Sequence, residues 1–516
     1  LQTRVVRVDP FEPSDDLLRP CAEALRSGGL VAFPTETVYG LGANALMPSA
    51  VREVFRAKGR PQDNPIIVHV SRIEAVAPLV TEISPVASKL MEMFWPGPLT
   101  LLFPKSGLVP AEVTAGLPTV AVRMPDHPVA QRLIDLSGVP VAAPSANISG
   151  RPSPTTFEAT LSDLDGKVDY VVDGGPAGIG VESTVLDISG PVARVLRPGG
   201  LSVEELSQVL GEVQVAIEVP AGPPSSPGMK YRHYAPKADV YLAAGEPAAQ
   251  REAIAVHALK SLISGKKVAV LASLENEPYY SRLSRSFPGS LFVLELGSRE
   301  DLAPVAARLF SSLRYADRLG ADVVLSESFP ERGLGLAIQN RLDRASGGRK
   351  MPAAGDSAIS VLLVCSGNTC RSPMAEAILG TEWVGLESRI PLRVYSRGTA
   401  AAPGLPASHE AVETMAERGI NISKHASAPV TGADLEGADL VVTMTASQKK
   451  ALADGFPELA PRVRTLAEVA EGAVDGDIPD PIGMGRGAYG RTADALERGL
   501  SVLARRIAGL LGSAGA

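Results

Sequence analysis

The sequence predicts a multidomain protein of mixed α/β and α+β class, and three observations carry that prediction. Short apolar, β-rich runs alternate with amphipathic helical patterns along the chain. Two Pro/Gly/Ser-rich stretches, VPAGPPSSPGM (219–229) and SGGRKMPAAGDS (346–357), interrupt that alternation. The 516 residues exceed one core, since a domain takes roughly 100–200 residues. Three globular blocks are expected, at 1–210, 238–345 and 358–516, joined by linkers at 211–237 and 346–357.

In the first block the runs GLVAFPT, NPIIVHV, LTLLF, TVAVRM, YVVDGG and STVLDI read as strands, with helical patterns such as SAVREVFRAKG between them. Strands outnumber helices, which predicts an α+β fold on a mixed sheet. The second block runs KKVAVLAS, a helical stretch, SLFVLELG, the long pattern REDLAPVAARLFSSLRYADRLG and ADVVLSES. That order predicts a small parallel α/β layer. The third repeats it with ISVLLVC, PLRVYSRG, ADLVVTMT and an amphipathic helix in the region 488–511. No repeat of 20–50 residues is present.

Apolar residues are 45% and charged residues 21% of the chain, and 50 glycines with 43 prolines stay under a fifth of it. Disorder would need roughly a quarter or more of Gly and Pro. Cys21, Cys365 and Cys370 form no even disulfide framework, and LQTRVVRVDPFEP lacks the apolar run of a signal peptide. No stretch approaches the ~18 apolar residues that span a bilayer. A cytoplasmic protein without membrane contact is expected, in which the NIS triplets at 147–149 and 421–423 are chance matches to a glycosylation signal. The net charge of −7 argues against direct binding of long nucleic acid.

Residues 364–373, VCSGNTCRSP, carry the clearest chemistry. A strand runs into the loop SGNTC and then into a helix that tolerates Pro373 in its first turn. Backbone N–H groups converge there, and a phosphate binds in such a cradle. The same positive potential favours a thiolate at Cys365 over a thiol. The planar fork of Arg371 suits two phosphoryl oxygens, Ser372 is placed to hydrogen-bond the sulfur, and Asp480 in DIPDPIG offers a proton to a leaving group. With Ser366, Gly367, Asn368, Thr369 and Cys370 completing the loop, residues 358–516 resemble the low-molecular-weight protein tyrosine phosphatase family.

That resemblance implies a cofactor-free phosphatase acting on phosphorylated protein, with nucleophile Cys365, phosphate-binding Arg371 and general acid Asp480. The branch it is most similar to is the protein arginine phosphatases. Thr369 stands where tyrosine-specific members usually have a larger aliphatic side chain, and Ile482 and Gly483 stand where aromatic residues commonly wall in a phosphotyrosine ring. A phosphotyrosine-specific enzyme is the alternative. The family's arsenate reductases need further cysteines to relay electrons, and this block has only Cys370 besides Cys365. Cys370 has two readings: inert packing, or a reversible disulfide with Cys365 against over-oxidation.

The first block holds FPTETVYGLG (33–42), AKGRPQDNPIIVHV (57–70), PTVAVRMP (118–125), AAPSANISGRPSPT (142–155), ESTV (182–185) and VLRPGG (195–200). Each is a polar, turn-forming cluster beside an apolar strand, which suits a nucleotide or amino-acid ligand and also ordinary turns. Their combination and order strongly resemble the YrdC-like threonylcarbamoyl-AMP synthases. SPGMKYRHYAPK (226–237) and the block ending RGLGLAIQNRLDRA extend the resemblance to about 345, as in the longer two-domain form.

It implies that L-threonine, bicarbonate and ATP give L-threonylcarbamoyl-AMP and pyrophosphate, the adenylate then passing to the transferase machinery that modifies tRNA. Threonine first captures carbon dioxide as a carbamate, whose oxygen attacks the α-phosphorus. Mg²⁺ arriving with ATP, and basic side chains, offset the charge on pyrophosphate; no metal-ligating cluster of the protein itself is expected. By the family's pattern Lys58, Arg60, Asn64, Thr119, Ser145 and Arg197 bind ATP, and Thr35, His69, Arg123, Ala143 and Ser183 bind threonine. Tyr231, Arg232, His233 and Tyr234 form a lid. The alternative for this block, an RNA-binding module, is opposed by the negative charge and the lack of a long Lys/Arg tract.

Overall fold

The computed structural model describes residues 2–216, 234–386, 390–470 and 472–512. By compactness the chain divides into two units: Leu1–Leu242, Leu271–Glu275 and Leu294–Arg349 form one, and Ala243–Val270, Asn276–Val293 and Lys350–Ala516 the other. The stretch expected as a middle block at 238–345 thus contributes to both. The class is the predicted one, multidomain α/β with a strand-rich N-terminal part.

The first unit is built on an 11-stranded sheet. Its strands are β1 (Arg4–Arg7), β2 (Val31–Phe33), β3 (Gly40–Asn44), β4 (Val68–His69), β5 (Leu99–Pro104), β6 (Thr119–Arg123), β7 (Val141–Ala142), β8 (Tyr170–Asp173), β9 (Thr184–Asp187), β10 (Ala193–Arg197) and β11 (Val213–Val215). They lie in the order β1-β8-β2-β3-β7-β4-β6-β5-β9-β10-β11, with parallel and antiparallel pairs mixed. Helices Asp15–Arg26 and Pro128–Ser137 supply Leu18, Leu25, Val129 and Leu133 to one core; helices Pro48–Lys58 and Pro85–Phe94 supply Val51, Phe55 and Leu90 to another. Burial on both faces explains why LTLLF does not alternate polar with apolar; its Thr100 is buried too and meets Ser183 Oγ at 2.8 Å.

The register of the central strands sets the site. His69 at the end of β4 pairs with Arg123 at the end of β6 and with Val141 of β7. Helix Pro48–Lys58 begins on proline and is ended by Gly59 at φ +59°, a left-handed residue that glycine adopts without steric cost. That stop delivers Lys58 and Arg60 side by side.

Strands β12 (Asp239–Leu242), β13 (Val268–Ser273), β14 (Leu291–Gly297) and β15 (Val323–Ser326) form a second sheet in the order β12-β15-β13-β14, with β12 and β15 parallel. Helices Leu302–Arg318 and Leu334–Ser346 belong to the first unit.

In the second unit β16 (Ile359–Cys365), β17 (Leu392–Gly398), β18 (Leu440–Thr443) and β19 (Val463–Thr465) make a parallel sheet ordered β17-β16-β18-β19. Alternation along β16 sends Val361 and Leu363 to the core that helices Arg371–Gly385 and Arg486–Gly512 share, and Leu362 and Val364 to the opposite face. Val256 and Leu259 of helix Pro247–Ile263 join the former core, and Lys260 Nζ donates to Ala358 O at 3.0 Å. The strand order reverses direction at β16, so the crevice beyond its carboxyl end is where such a sheet binds ligands. Cys365 is its last residue.

Candidate active sites

At the carboxyl end of β16 the loop from Ser366 to Cys370 wraps round the Cys365 sulfur, which is buried. Asn368 N–H donates to Cys365 Sγ at 3.2 Å, and Ser372 Oγ lies 3.0 Å from it. Asn368 takes a left-handed backbone, φ +54°, of the kind that asparagine tolerates better than most side chains. Its amide is oriented by Ala428 N–H donating to Oδ1 at 2.8 Å, so that Nδ2 donates to Ser372 Oγ at 3.0 Å and Ser396 Oγ at 2.9 Å. Ser396 in turn donates to Glu376 at 2.6 Å. With Asn368 Nδ2 donating to its oxygen, the Ser372 hydroxyl turns its proton to the sulfur at 3.0 Å or to Arg397 O at 3.4 Å.

His425 Nε2 contacts Asn368 O at 2.7 Å, and Gln448 Nε2 donates to Ser366 Oγ at 3.1 Å. Gly398, ending β17, lies against the loop so closely that a Cβ there would stand 2.5 Å from Ser366 O. Arg371 is buried at the helix start, donating to Ile478 O at 3.2 Å and to Asp480 Oδ2 at 2.5 Å. The structure therefore brings Cys365, Arg371, Ser372 and Asp480 together. Glu376 sits on the cradle's own helix and Ser396, Gly398, His425 and Gln448 in other segments, and no distinctive spacing marks any of them as bracing.

Cys370 and Cys365 are both free thiols. Cys370 Sγ lies 3.4 Å from Ser408 Oγ and 3.3 Å from Tyr489 Oη, packed and hydrogen-bonded away from solvent. Burial, with the Cys370 contact, pushes the Tyr489 hydroxyl up to about 12.

In the first unit a cavity is lined by Thr35, Lys58, Arg60, His69, Arg123, Ala143, Ser145, Ser183, Arg197 and Tyr234, all anticipated from the sequence. Thr37, Asn147, Ser149 and Glu182 also line it; they fall inside the quoted motifs but had been given no role. Asn64 and Thr119 do not line it. Thr119 begins β6 beside Pro104, at the end of the strand opposite Arg123. Asn64 is buried in the loop after Arg60, its amide atoms without partners, while its carbonyl accepts from Arg60 at 3.3 Å. Of the lid residues, Tyr231, Arg232 and His233 lie outside the described residues. Tyr234 packs on Phe310 with ring centroids 5.2 Å apart.

The electrostatics of this cavity are lopsided. Lys58, Arg60, Arg123 and Arg197 line it, and among the described residues Glu182 is the lining carboxylate. Burial, reinforced by Arg60, holds the Lys58 ammonium well below the lysine range, and its Nζ donates to the carbonyls of Ser145 and Asn147. Burial brings Arg60 and Arg197 down to about 10, still protonated at neutral pH. Burial and then Arg123 push His69 down to about 3, so it is neutral, and its Nδ1 is buried without a partner. Arg123 pairs with Glu36 at 2.6 Å and donates to Thr37 Oγ1 at 2.9 Å, which in turn lies 2.9 Å from Thr35 Oγ1. Arg60, Arg123 and Arg197 outnumber Glu182 and the Arg123-paired Glu36, and that positive excess favours an anionic ligand.

A mixed sheet carrying a cavity lined by basic side chains, together with a parallel sheet carrying a Cys-x5-Arg cradle, defines the class of a two-part enzyme. Family models specify it further. One described as "Telomere recombination" (Sua5, YciO, YrdC) matches residues 23–199, "Threonylcarbamoyl-AMP synthase, C-terminal domain" matches 201–347, and "Low molecular weight phosphotyrosine protein phosphatase" matches 360–509.

The chain is 47% identical over 338 residues to the threonylcarbamoyl-AMP synthase of Pyrococcus abyssi, covering 64% of this chain and 94% of that protein. To the Bacillus subtilis threonylcarbamoyl-AMP synthase it is 46% identical over 344 residues, covering 66% and 96%. The crystal structure of P. abyssi Sua5 complexed with L-threonine superposes with a TM-score of 0.63 at 46% identity, covering 68% of this chain and 99% of that one. The chain belongs to the threonylcarbamoyl-AMP synthase family and carries a low-molecular-weight phosphatase domain; both parts are enzymatic. No helix among the described residues is long and apolar enough to cross a membrane.

Proposed function

We propose that this chain is bifunctional, forming L-threonylcarbamoyl-AMP from L-threonine, bicarbonate and ATP, and hydrolysing phosphorylated protein side chains, phosphoarginine in particular. The observation that carries the first half is the cluster of buried basic side chains in one cavity, in excess of Glu182 and the Arg123-paired Glu36. ATP enters as its magnesium complex. In that complex the metal is held chiefly by the nucleotide's phosphates.

Lys58, Arg60 and Arg197, with Ser145, hold the triphosphate; Arg123 takes the threonine carboxylate, with Thr35, Ala143 and Ser183 about the rest of the amino acid. Neutral His69 offers the amine or its carbamate a hydrogen bond without adding charge. As the carbamate oxygen bonds to the α-phosphorus and the bond to pyrophosphate breaks, the guanidinium groups meet charge that moves toward the leaving group. The adenylate then passes to the machinery that modifies tRNA.

In the phosphatase half, the Cys365 thiolate attacks phosphorus, Arg371 clasps two equatorial oxygens, Asp480 protonates the departing nitrogen or oxygen, and water frees phosphate from sulfur. Phosphoarginine is favoured by the Thr369 hydroxyl and by the lack of an aromatic wall: Ile482 after the acid loop is exposed, and Tyr489 is turned onto Cys370. A paired assay tests both halves: pyrophosphate release with and without threonine, and phosphate release from phosphoarginine and phosphotyrosine peptides. Thr369→Ile should erode a preference for phosphoarginine, and an unchanged strong preference would overturn that specificity argument.

A further inference from the structure

Arg341 lies outside the N-terminal sheet, on helix Leu334–Ser346, and is fully buried. Its Nε donates to Glu182 Oε2 at 2.9 Å, its Nη1 donates to Pro198 O at 2.6 Å, and its guanidinium lies 5.6 Å from the Tyr234 ring centroid. The other oxygen of Glu182 accepts from Ser153 Oγ at 2.6 Å. Both oxygens of the cavity's lining carboxylate are therefore occupied from behind. Arg197, which shares the cavity with Glu182, bonds instead to the uncharged Ser183: Nε and Nη2 donate to Ser183 O at 3.2 and 2.9 Å, and Nη2 to Ser183 Oγ at 3.1 Å. Burial would raise the Glu182 carboxyl, but Arg341, Arg197 and Ser153 outweigh it and keep the group ionised.

An ionised carboxylate beside a protonated guanidinium closes on it when nothing else holds it, and Arg197 would then spend its charge on Glu182. We propose that Arg341 is a positioning residue for adenylate synthesis: by engaging Glu182 it leaves the Arg197 charge available to the nucleotide phosphates. A buried ion pair is poorly explained by stability alone, since apolar replacements of similar volume are often neutral or stabilising. A second arginine from the same part of the chain, Arg314, braces the segment that carries Asn147 and Ser153. Arg314 donates to Pro152 O at 3.0 Å and to Asp163 at 2.8 Å, and Asp163 also accepts from Ile148 N–H at 3.1 Å, beside the Asn147 carbonyl that meets Lys58.

This inference rests on the synthase reading, and the experiment separates the two. Threonine-dependent pyrophosphate release is measured on the full chain as wild type, Arg341→Met, Glu182→Gln and the double variant, with thermal unfolding followed alongside. In Arg341→Met the KM for ATP should rise at least about tenfold, while the KM for threonine moves much less. The double variant should recover most of the ATP affinity, because the competing carboxylate is gone; a merely structural strut would lose further. A KM for ATP within twofold of wild type in the single variant, or a double variant no better than the single, overturns the inference. Wild type without threonine-dependent release overturns the synthase reading instead. Should Arg341→Met fail to fold, Arg341→Lys with and without Glu182→Gln carries the same comparison.

Discussion

Between Cys365 and Ser372 the chain completes a phosphate cradle in one strand, one loop and the first turn of one helix, whereas the cavity round Lys58 draws on residues from Thr35 to Tyr234 and is braced from Arg314 and Arg341. The cradle sets the Asn368 N–H and the Ser372 hydroxyl on a sulfur; the cavity gathers buried basic groups and has its lining carboxylate Glu182 held by Arg341 and Ser153. A local site takes its geometry from one stretch of backbone, which Gly398, His425 and Gln448 only brace. A dispersed one depends on register and charge balance, and distant side chains can spoil it.

Cys365→Ser gives the sharpest break between the two. Phosphate release should fall by at least about 10⁴-fold, with threonine-dependent pyrophosphate release unchanged. A parallel fall in both activities would mean that the sites do not run independently. Asp480→Asn should cost about 10²–10³-fold in phosphatase kcat, and less for an aryl phosphate whose leaving group is already a stable anion. An equal loss for every leaving group would remove Asp480 as the proton donor. In the cavity, Arg197→Ala should cost about 10²-fold in kcat/KM for ATP, leaving phosphatase rates alone.

How far the sequence carries differs between the sites for the same reason. Cys365, Arg371 and Ser372 are legible because one turn of backbone fixes them, and the strand, loop and helix appear where the pattern places them. The residues cast for the cavity came only from resemblance: nothing in the spacing of His69 and Arg123 says that β4 and β6 pair them. Asn64 and Thr119, assigned in the same way, do not line it. Arg341 escaped notice because its meaning depends on Glu182, 159 positions earlier. The middle block looked self-contained, since its alternation gives no sign that Val256 and Leu259 serve the core of another sheet.

The smallest effect expected concerns acid stability. Burial depresses His69 to about 3, so between its unfolded value, near 6.5, and about 3 the unfolded chain binds a proton that the folded chain refuses. Its contribution is intact above about 6.5 and is lost as pH falls toward 3, by up to a few kcal/mol. Urea unfolding of His69→Gln across that range should show a shallower decline than wild type; parallel curves would mean that His69 is protonated in the folded state.

Val256 and Leu259, in the same buried cluster as Val361 and Trp383, bear on how the enzyme can be divided. Severing the chain within the Pro/Gly stretch before Ile359 and keeping only the downstream piece would strip away that apolar cover and the Lys260 tether to Ala358. The excised phosphatase would then present a greasy scar to solvent, and would aggregate more readily than a fragment that retains the Pro247–Ile263 helix.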